Sequence, residues 1–247
     1  MNIKLTKNYS PNFNPKKRTI RQIKFIIFHY TGMKKESDSL NKLLNIKSEV
    51  SSHYLIKNNG EIVILVPDLY IAWHAGISYW KNSKSLNKSS IGIEISNPGH
   101  NFKYKKFSKK QIQSILKISK FLTKKYKIKS KNILGHSDIA PGRKKDPGEK
   151  FPWQFLSNHK IGIWHNLSDL VLRENRLKKI NTKSEKTFYN NLSKIGYSIK
   201  KPKYIKKDKY LNFLTKTFQR RFRQELINGI IDQECFLIKN LVNFKID

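Results

Sequence analysis

Acidic residues are scarce in this chain. Asp and Glu number 17 against 51 Lys and Arg, which sets the formal charge at +34. Two readings of that balance stay open. One is an anionic partner such as nucleic acid, an acidic membrane surface or an acidic polymer. The other, which we favour, is compositional drift, because Lys, Asn and Ile are abundant all along the chain and the lysines are not gathered into one block. Cysteine is nearly absent: Cys235 stands alone. That excludes a disulfide within the chain and a cysteine-based zinc site. No apolar run approaches about 18 residues, so no membrane-spanning segment is expected. The N-terminal stretch has no apolar core and no small-residue cleavage site, so it does not read as a secretory signal. A cytoplasmic chain is expected on that basis, with the periplasm or envelope reached by another route as the alternative. No tandem repeat is present, nor any low-complexity tract beyond the lysine bias.

What is there suffices for a core. The 247 residues are 38% hydrophobic, enough for one large domain or a medium and a small one. Residues 1–20, with Pro11 and Pro15, read as an extended arm. "IKFIIFHY" (23–30) is a continuous apolar run that suits a strand buried on both faces. "DSLNKLLNI" (38–46) reads as a short helix capped by Asp38. "KNNG" (57–60) turns a β-hairpin over 51–66. "SSIGIEIS" (89–96) is another strand. Residues 107–128 form the clearest helix, opened by a Ser108/Gln111 capping box, with Ile112, Ile115, Leu116, Ser119, Leu122 and Tyr126 on one face. "NILGH" (132–136) is a further strand. After residue 165 the texture changes, and 188–199 and 210–244 read as about three short helices. The expected architecture is α/β: a mixed central β-sheet flanked by helices over 21–165, a linker over 166–184, and a small all-α domain over 185–247.

The loop "GHSDIAPGRKKDPG" (135–148) holds titratable groups between helix-breaking prolines. His29 and His136 end two strands, and Asp146 precedes Pro147. Two imidazoles and a carboxylate are a common ligand set for a catalytic zinc ion, which keeps a fourth position open for water. On spacing alone, a histidine at a strand end is more often a satisfied core residue, and an Asp before Pro-Gly more often a turn residue.

An ordered series of motifs decides between these. "FIIFHYT" (25–31), "VSSHYLI" (50–56), "IAWHAG" (71–76), "SIGIEISN" (90–97), "GHSDIAPGRKKDPG" and "FPW" (151–153) together resemble the type 2 N-acetylmuramoyl-L-alanine amidases, zinc hydrolases related to the peptidoglycan recognition proteins. The resemblance covers residues 20–165. It implies one Zn²⁺ per chain on His29, His136 and Asp146, Glu94 as general base, and Lys144 as the group that stabilises the oxyanion. It also implies a substrate-facing Arg143, and pocket roles for His53, Trp73, His74 and Asn97. The implied partner is peptidoglycan or its muropeptides, cleaved between N-acetylmuramic acid and L-alanine; a monomer is expected and nucleic acid is not. Some members of the superfamily keep the fold as non-catalytic binding proteins, but here every implied ligand and catalytic residue is present. "LSKIGYSI" (192–199) and "FLTKTFQRRFR" (213–223) resemble the three-helix peptidoglycan-binding-like domain of the longer, lipoprotein-type members. The chain departs from that type in lacking a lipid-modified cysteine after a signal, and from the cytosolic type in having the extra domain. His100, His159 and His165 lie in no motif and are expected at the surface.

Overall fold

The run "FIIFHY" forms the strand around which the rest is arranged. The structure, a computed structural model, describes residues 5–244. The first four residues of the expected arm and the last three of the expected helical domain lie outside that range. The strands are β1 (Leu5–Lys7), β2 (Phe13–Asn14), β3 (Phe25–Tyr30), β4 (Tyr54–Ile56), β5 (Ile62–Ile64), β6 (Ile71–Ala72), β7 (Tyr79–Trp80), β8 (Ser83–Lys84), β9 (Ser90–Ile95) and β10 (Ile133–Gly135). The helices are α1 (Glu36–Leu44), α2 (Lys109–Tyr126), α3 (His136–Ile139), α4 (Trp153–Asn158), α5 (Asp169–Asn175), α6 (Thr182–Ile195), α7 (Lys207–Phe222) and α8 (Gln233–Phe244).

The main sheet has the order β1-β5-β4-β9-β3-β10. Only the β4–β5 pair is antiparallel, so the sheet is mixed. Strand β3 lies between two parallel neighbours, which accounts for its unbroken apolar run. Helix α2 covers one face, where Ile115, Ile118 and Leu122 enter the core. The Ser108/Gln111 capping box forms, and the Gln111 amide also donates to the Ser96 carbonyl at 2.8 Å. On the other face Leu43 of α1 packs with Leu55, Val63 and Leu65 in a smaller cluster.

Three expectations need correcting. Helix α1 starts at Glu36 with Lys35 as its N-cap, and Asp38 sits inside the first turn, where its charge favours the helix dipole. Residues 5–14 are extended but not a free arm. Strand β1 joins the sheet edge beside β5, the Asn12 amide donates to the Asn45 and Val50 carbonyls, and buried Arg18 donates to the Ser90 carbonyl at 2.7 Å. The stretch 166–184, expected as a linker, contains α5, which packs on α8.

Helices α6, α7 and α8 do form a small bundle, and its core is continuous with that of the sheet. Trp80 and Tyr197 meet edge to face at 4.9 Å between ring centres. The chain passes this contact at Gly196 with φ of 141°, where a Cβ would sit 2.4 Å from the Trp80 ring; both conformation and space require glycine.

Candidate metal centre and substrate cleft

Register brings the site together. In the parallel pair of β3 and β9, His29 stands level with Glu94. In the pair of β3 and β10, Gly135 is level with Phe28, so the next residue, His136, comes level with His29. Strands β9 and β3 therefore present Glu94 and His29, and His136, expected to end a strand, is instead the first residue of α3, directly after β10. Leu55 of β4 is level with Glu94, which places the group on the α1 face of the sheet. The loop after α3 returns Asp146 to the same point, tied by the Ser137 N–H donating to the Asp146 carbonyl at 2.8 Å.

The donor atoms of His29, His136 and Asp146 lie within 4.8 Å of one another, and all three residues are buried. The hydrogen bonds fix the tautomers. The Ser90 hydroxyl donates to the Leu86 carbonyl at 2.6 Å and accepts from His74 Nε2 at 3.1 Å. His74 Nδ1 must then accept from His29 Nε2, at 3.0 Å. His136 Nε2 donates to the Ala75 carbonyl at 3.1 Å. Both remaining Nδ1 atoms are bare lone pairs. They face each other at 2.9 Å, and they stand 3.0 and 2.9 Å from Asp146 Oδ2. Two lone pairs and a carboxylate oxygen converge on one point, and they repel unless a cation lies among them. Donors in a tetrahedral zinc site are separated by about 3.3 Å. The three groups fit such an ion with little movement.

The electrostatics agree. Burial, followed by the neighbouring His136, lowers His29 to about 4, against the pull of Asp146, so its ring is neutral at neutral pH. Burial also drives His74 well below the usual range, aided by His29. Burial pushes Asp146 upward, but a proton on the facing His136 and His29 nitrogens more than offsets this and holds it well below the usual carboxylate range. Glu94 is half-buried, and its Oε2 has no hydrogen-bond partner among the described residues. Burial, then the Asp146 charge, raises it to about 8, with Lys144 acting in the opposite sense. A carboxyl poised near neutrality is suited to proton transfer.

The centre opens into a cleft of about 410 Å³ whose walls include Trp73, His74, Glu94, Arg143 and Lys144. Trp73 is 37% exposed and offers its ring to the cleft. Arg143 donates to the Ala75 and Ile77 carbonyls at 2.8 and 2.7 Å, which holds its guanidinium at the rim. His74 is both wall and support, and its ring lies so close to Gly92 that a Cβ there would approach it to 2.4 Å.

Two residues expected in the pocket sit behind it. His53 is fully buried; its Nδ1 accepts from the Gly92 N–H at 3.0 Å, and its Nε2 lies 2.8 Å from Arg18 Nη2 and 3.1 Å from the Tyr70 carbonyl. The Asn97 amide donates to the Lys105 carbonyl at 2.9 Å and its oxygen accepts from the Gly99 N–H at 3.1 Å, so it shapes a loop. Conversely, His100 lines the cleft, held by the Tyr30 hydroxyl at 2.8 Å and Glu149 at 3.0 Å. No motif marked it. His165 is buried beside the Phe222 carbonyl rather than exposed.

Comparison with known proteins bears on this geometry. The profile of the N-acetylmuramoyl-L-alanine amidase family matches residues 19–149. The chain is 36% identical over 225 residues to the N-acetylmuramoyl-L-alanine amidase AmiD of Escherichia coli, covering 86% of this chain and 79% of that protein. It is 40% identical over 104 residues to the 1,6-anhydro-N-acetylmuramyl-L-alanine amidase AmpD of the same organism, covering 42% of this chain and 55% of AmpD. Among solved structures, E. coli AmiD in complex with anhydro-N-acetylmuramic acid-L-Ala-D-γ-Glu-L-Lys superposes with a TM-score of 0.78 at 33% identity, covering 91% of this chain and 90% of AmiD. AmpDh3 of Pseudomonas aeruginosa gives 0.78 at 30% identity, covering 94% of each chain. With the family profile spanning β3 to the Asp146 loop and the relatives extending through the C-terminal helices, this chain is a member of the N-acetylmuramoyl-L-alanine amidase family.

Proposed function

We propose that the chain hydrolyses the amide between the lactyl group of N-acetylmuramic acid, or its 1,6-anhydro form, and L-alanine, with one zinc ion held by His29, His136 and Asp146. The observation that carries this reading is the convergence of two bare imidazole lone pairs and a carboxylate oxygen within 3.0 Å, at the floor of an open cleft. Zinc bound there supplies a water acidified to a pKa of about 7 and polarises the scissile carbonyl.

The rest is the work of the chain's own groups. Glu94 takes the proton from the attacking water as its oxygen bonds to the carbonyl carbon. It then passes that proton to the departing alanine nitrogen as the C–N bond breaks. Lys144, in the cleft wall, offsets the negative charge that develops on the carbonyl oxygen. Arg143, fixed at the rim, receives a carboxylate of the stem peptide or the lactyl group. Trp73 supplies an apolar wall, and the basic surface draws an anionic substrate inward. His74 keeps the His29 ring in the ligating tautomer. A purely recognising protein has no use for Glu94 beside the ligands, which favours catalysis over binding alone.

The test is incubation with a disaccharide–tetrapeptide and with its 1,6-anhydro counterpart, followed by mass spectrometry. Free tetrapeptide should be released, release should stop with a zinc chelator, and it should resume when Zn²⁺ is restored. No release from either substrate by protein carrying one zinc per chain would overturn the proposal. The ratio of the two rates tells recycling of soluble fragments from cleavage of the wall.

A further inference from the structure

We propose that Tyr197 and Arg221, both from the C-terminal helical region, are positioning residues for the metal ligand His136, and that they act through Asp138. This rests on the metal reading above. Helix α3 is a single turn that leaves β10 directly, and it has too few backbone hydrogen bonds of its own to fix His136. Asp138 supplies the missing restraint. It is 1% exposed, and each oxygen of its carboxylate is engaged. Oδ2 accepts from the Gly135 N–H at 2.8 Å and from Arg221 Nη1, while Oδ1 accepts from the Tyr197 hydroxyl at 2.7 Å. Arg221 is 3% exposed. Its Nη2 donates to the Ile133 carbonyl at 3.0 Å, and its guanidinium lies 4.0 Å over the Trp153 ring.

The chain is thus held at Ile133 and Gly135 before His136 and at Asp138 after it. The Ser137 N–H ties the same turn to the backbone of Asp146. Residues 59 and 83 positions downstream complete the clamp. A buried ion pair of this kind is weak evidence for stability, since its desolvation offsets much of its attraction. Holding a ligand to within a fraction of an ångström is the use to which such a pair is suited. In this reading the C-terminal helices serve the metal centre through a direct polar contact, whether or not they also bind glycan.

The experiment compares full-length Arg221→Met, Arg221→Lys and Tyr197→Phe with the parent and with Tyr210→Phe. The last variant removes a hydroxyl from the same bundle, one that donates to the Ser198 carbonyl. Zinc affinity of the metal-free proteins is read by chelator competition. Arg221→Met should weaken zinc about 10- to 100-fold, as loss of a group supporting a ligand does elsewhere. Tyr197→Phe should weaken it by a smaller factor, Arg221→Lys should restore part of the loss, and Tyr210→Phe should leave it unchanged. At saturating zinc, kcat should fall in Arg221→Met and Tyr197→Phe with KM held. Zinc affinity equal to the parent's in Tyr197→Phe and Arg221→Met would overturn the proposal, as would an equal loss in Tyr210→Phe. If the parent itself binds no zinc, the metal reading fails separately. The clamp is then judged by the His136 imidazole resonances of metal-free protein, which must shift in Tyr197→Phe for the proposal to stand.

Discussion

Two buried polar clusters in this molecule invite comparison. In the C-terminal bundle, Arg176 and Arg223 meet Asp232 and Glu234. Arg176 donates to Glu234 through Nε and Nη2 at 2.8 and 2.7 Å, and Arg223 pairs with Asp232. Asp232 also accepts from the Cys235 and Leu177 N–H groups, each at 3.0 Å. Charges balance and the donors find acceptors. At the end of β3 the reverse holds: three acceptor atoms converge with no donor among them. Both clusters are buried and built from charged or titratable side chains. The first is complete within the protein, and in the proposed function the second takes a cation from outside. Electrostatic incompleteness, more than burial or the presence of histidine, marks the functional site.

Removing Asp146 breaks the contrast most sharply. Asp146→Ala should lose stoichiometric zinc by elemental analysis and fall to the activity of chelated parent. The thermal midpoint of the metal-free protein should change little, because Arg143, the cation that Asp146 attracts, keeps its bonds to the Ala75 and Ile77 carbonyls. Glu94→Gln tests the group beside the ligands. Its zinc content should match the parent's while kcat drops by about 10²- to 10⁴-fold, the usual contribution of a general acid–base group.

The complete cluster should respond in the opposite sense. Arg223→Met strands the buried Asp232 carboxylate and should destabilise the protein by about 3–5 kcal/mol in denaturant unfolding. Zinc affinity of the fraction that stays folded should be that of the parent. A loss of zinc affinity here would mean that the two clusters are coupled through the bundle and are less independent than their geometry states.

How much of this was legible in the sequence follows from the range of the interactions. The buried strand expected at 23–30 and the capped helix expected at 107–128 announce themselves through local pattern, and they form over 25–30 and 109–126. The candidate metal site was legible because His29 lies in one distinct motif and His136 and Asp146 share another, although the register that brings Glu94 and His29 level is not a local property. His53 and Asn97 stand in the same motifs yet face inward, because a motif records that a residue matters and not which way it points. The Asp138 clamp was illegible for a further reason. Its partners lie in a segment that looked like a separate domain, and a single Tyr or Arg carries no mark of a contact across so much chain. The arm expected over 1–20 was illegible for the same reason: its Asn12 and Arg18 side chains donate to the Val50 and Ser90 carbonyls, far along the chain.

Lys239 gives the smallest effect, and it tests the completeness of the bundle itself. It is 0% exposed, and among the described residues its ammonium has no hydrogen-bond partner. Among the described residues its compensation is the Phe236 ring, 3.8 Å from Nζ. Burial, with Lys194 nearby, lowers it from 10.5 to about 8. Below pH 8 the folded protein therefore holds a charge that the unfolded chain carries more easily. Between 8 and 10.5 the unfolded chain binds the extra proton, so this group's contribution to stability rises with pH. Lys239→Met keeps the volume and removes the charge. It should stabilise the protein by about 1–3 kcal/mol at pH 7, and the difference from the parent should shrink as pH passes from 8 towards 10.5. Paired urea unfolding curves at pH 7 and 9.5 measure this directly. A Lys239→Met protein less stable than the parent at pH 7 would mean that the aromatic contact compensates the ammonium fully, and that the bundle, unlike the metal centre, leaves no buried charge unanswered.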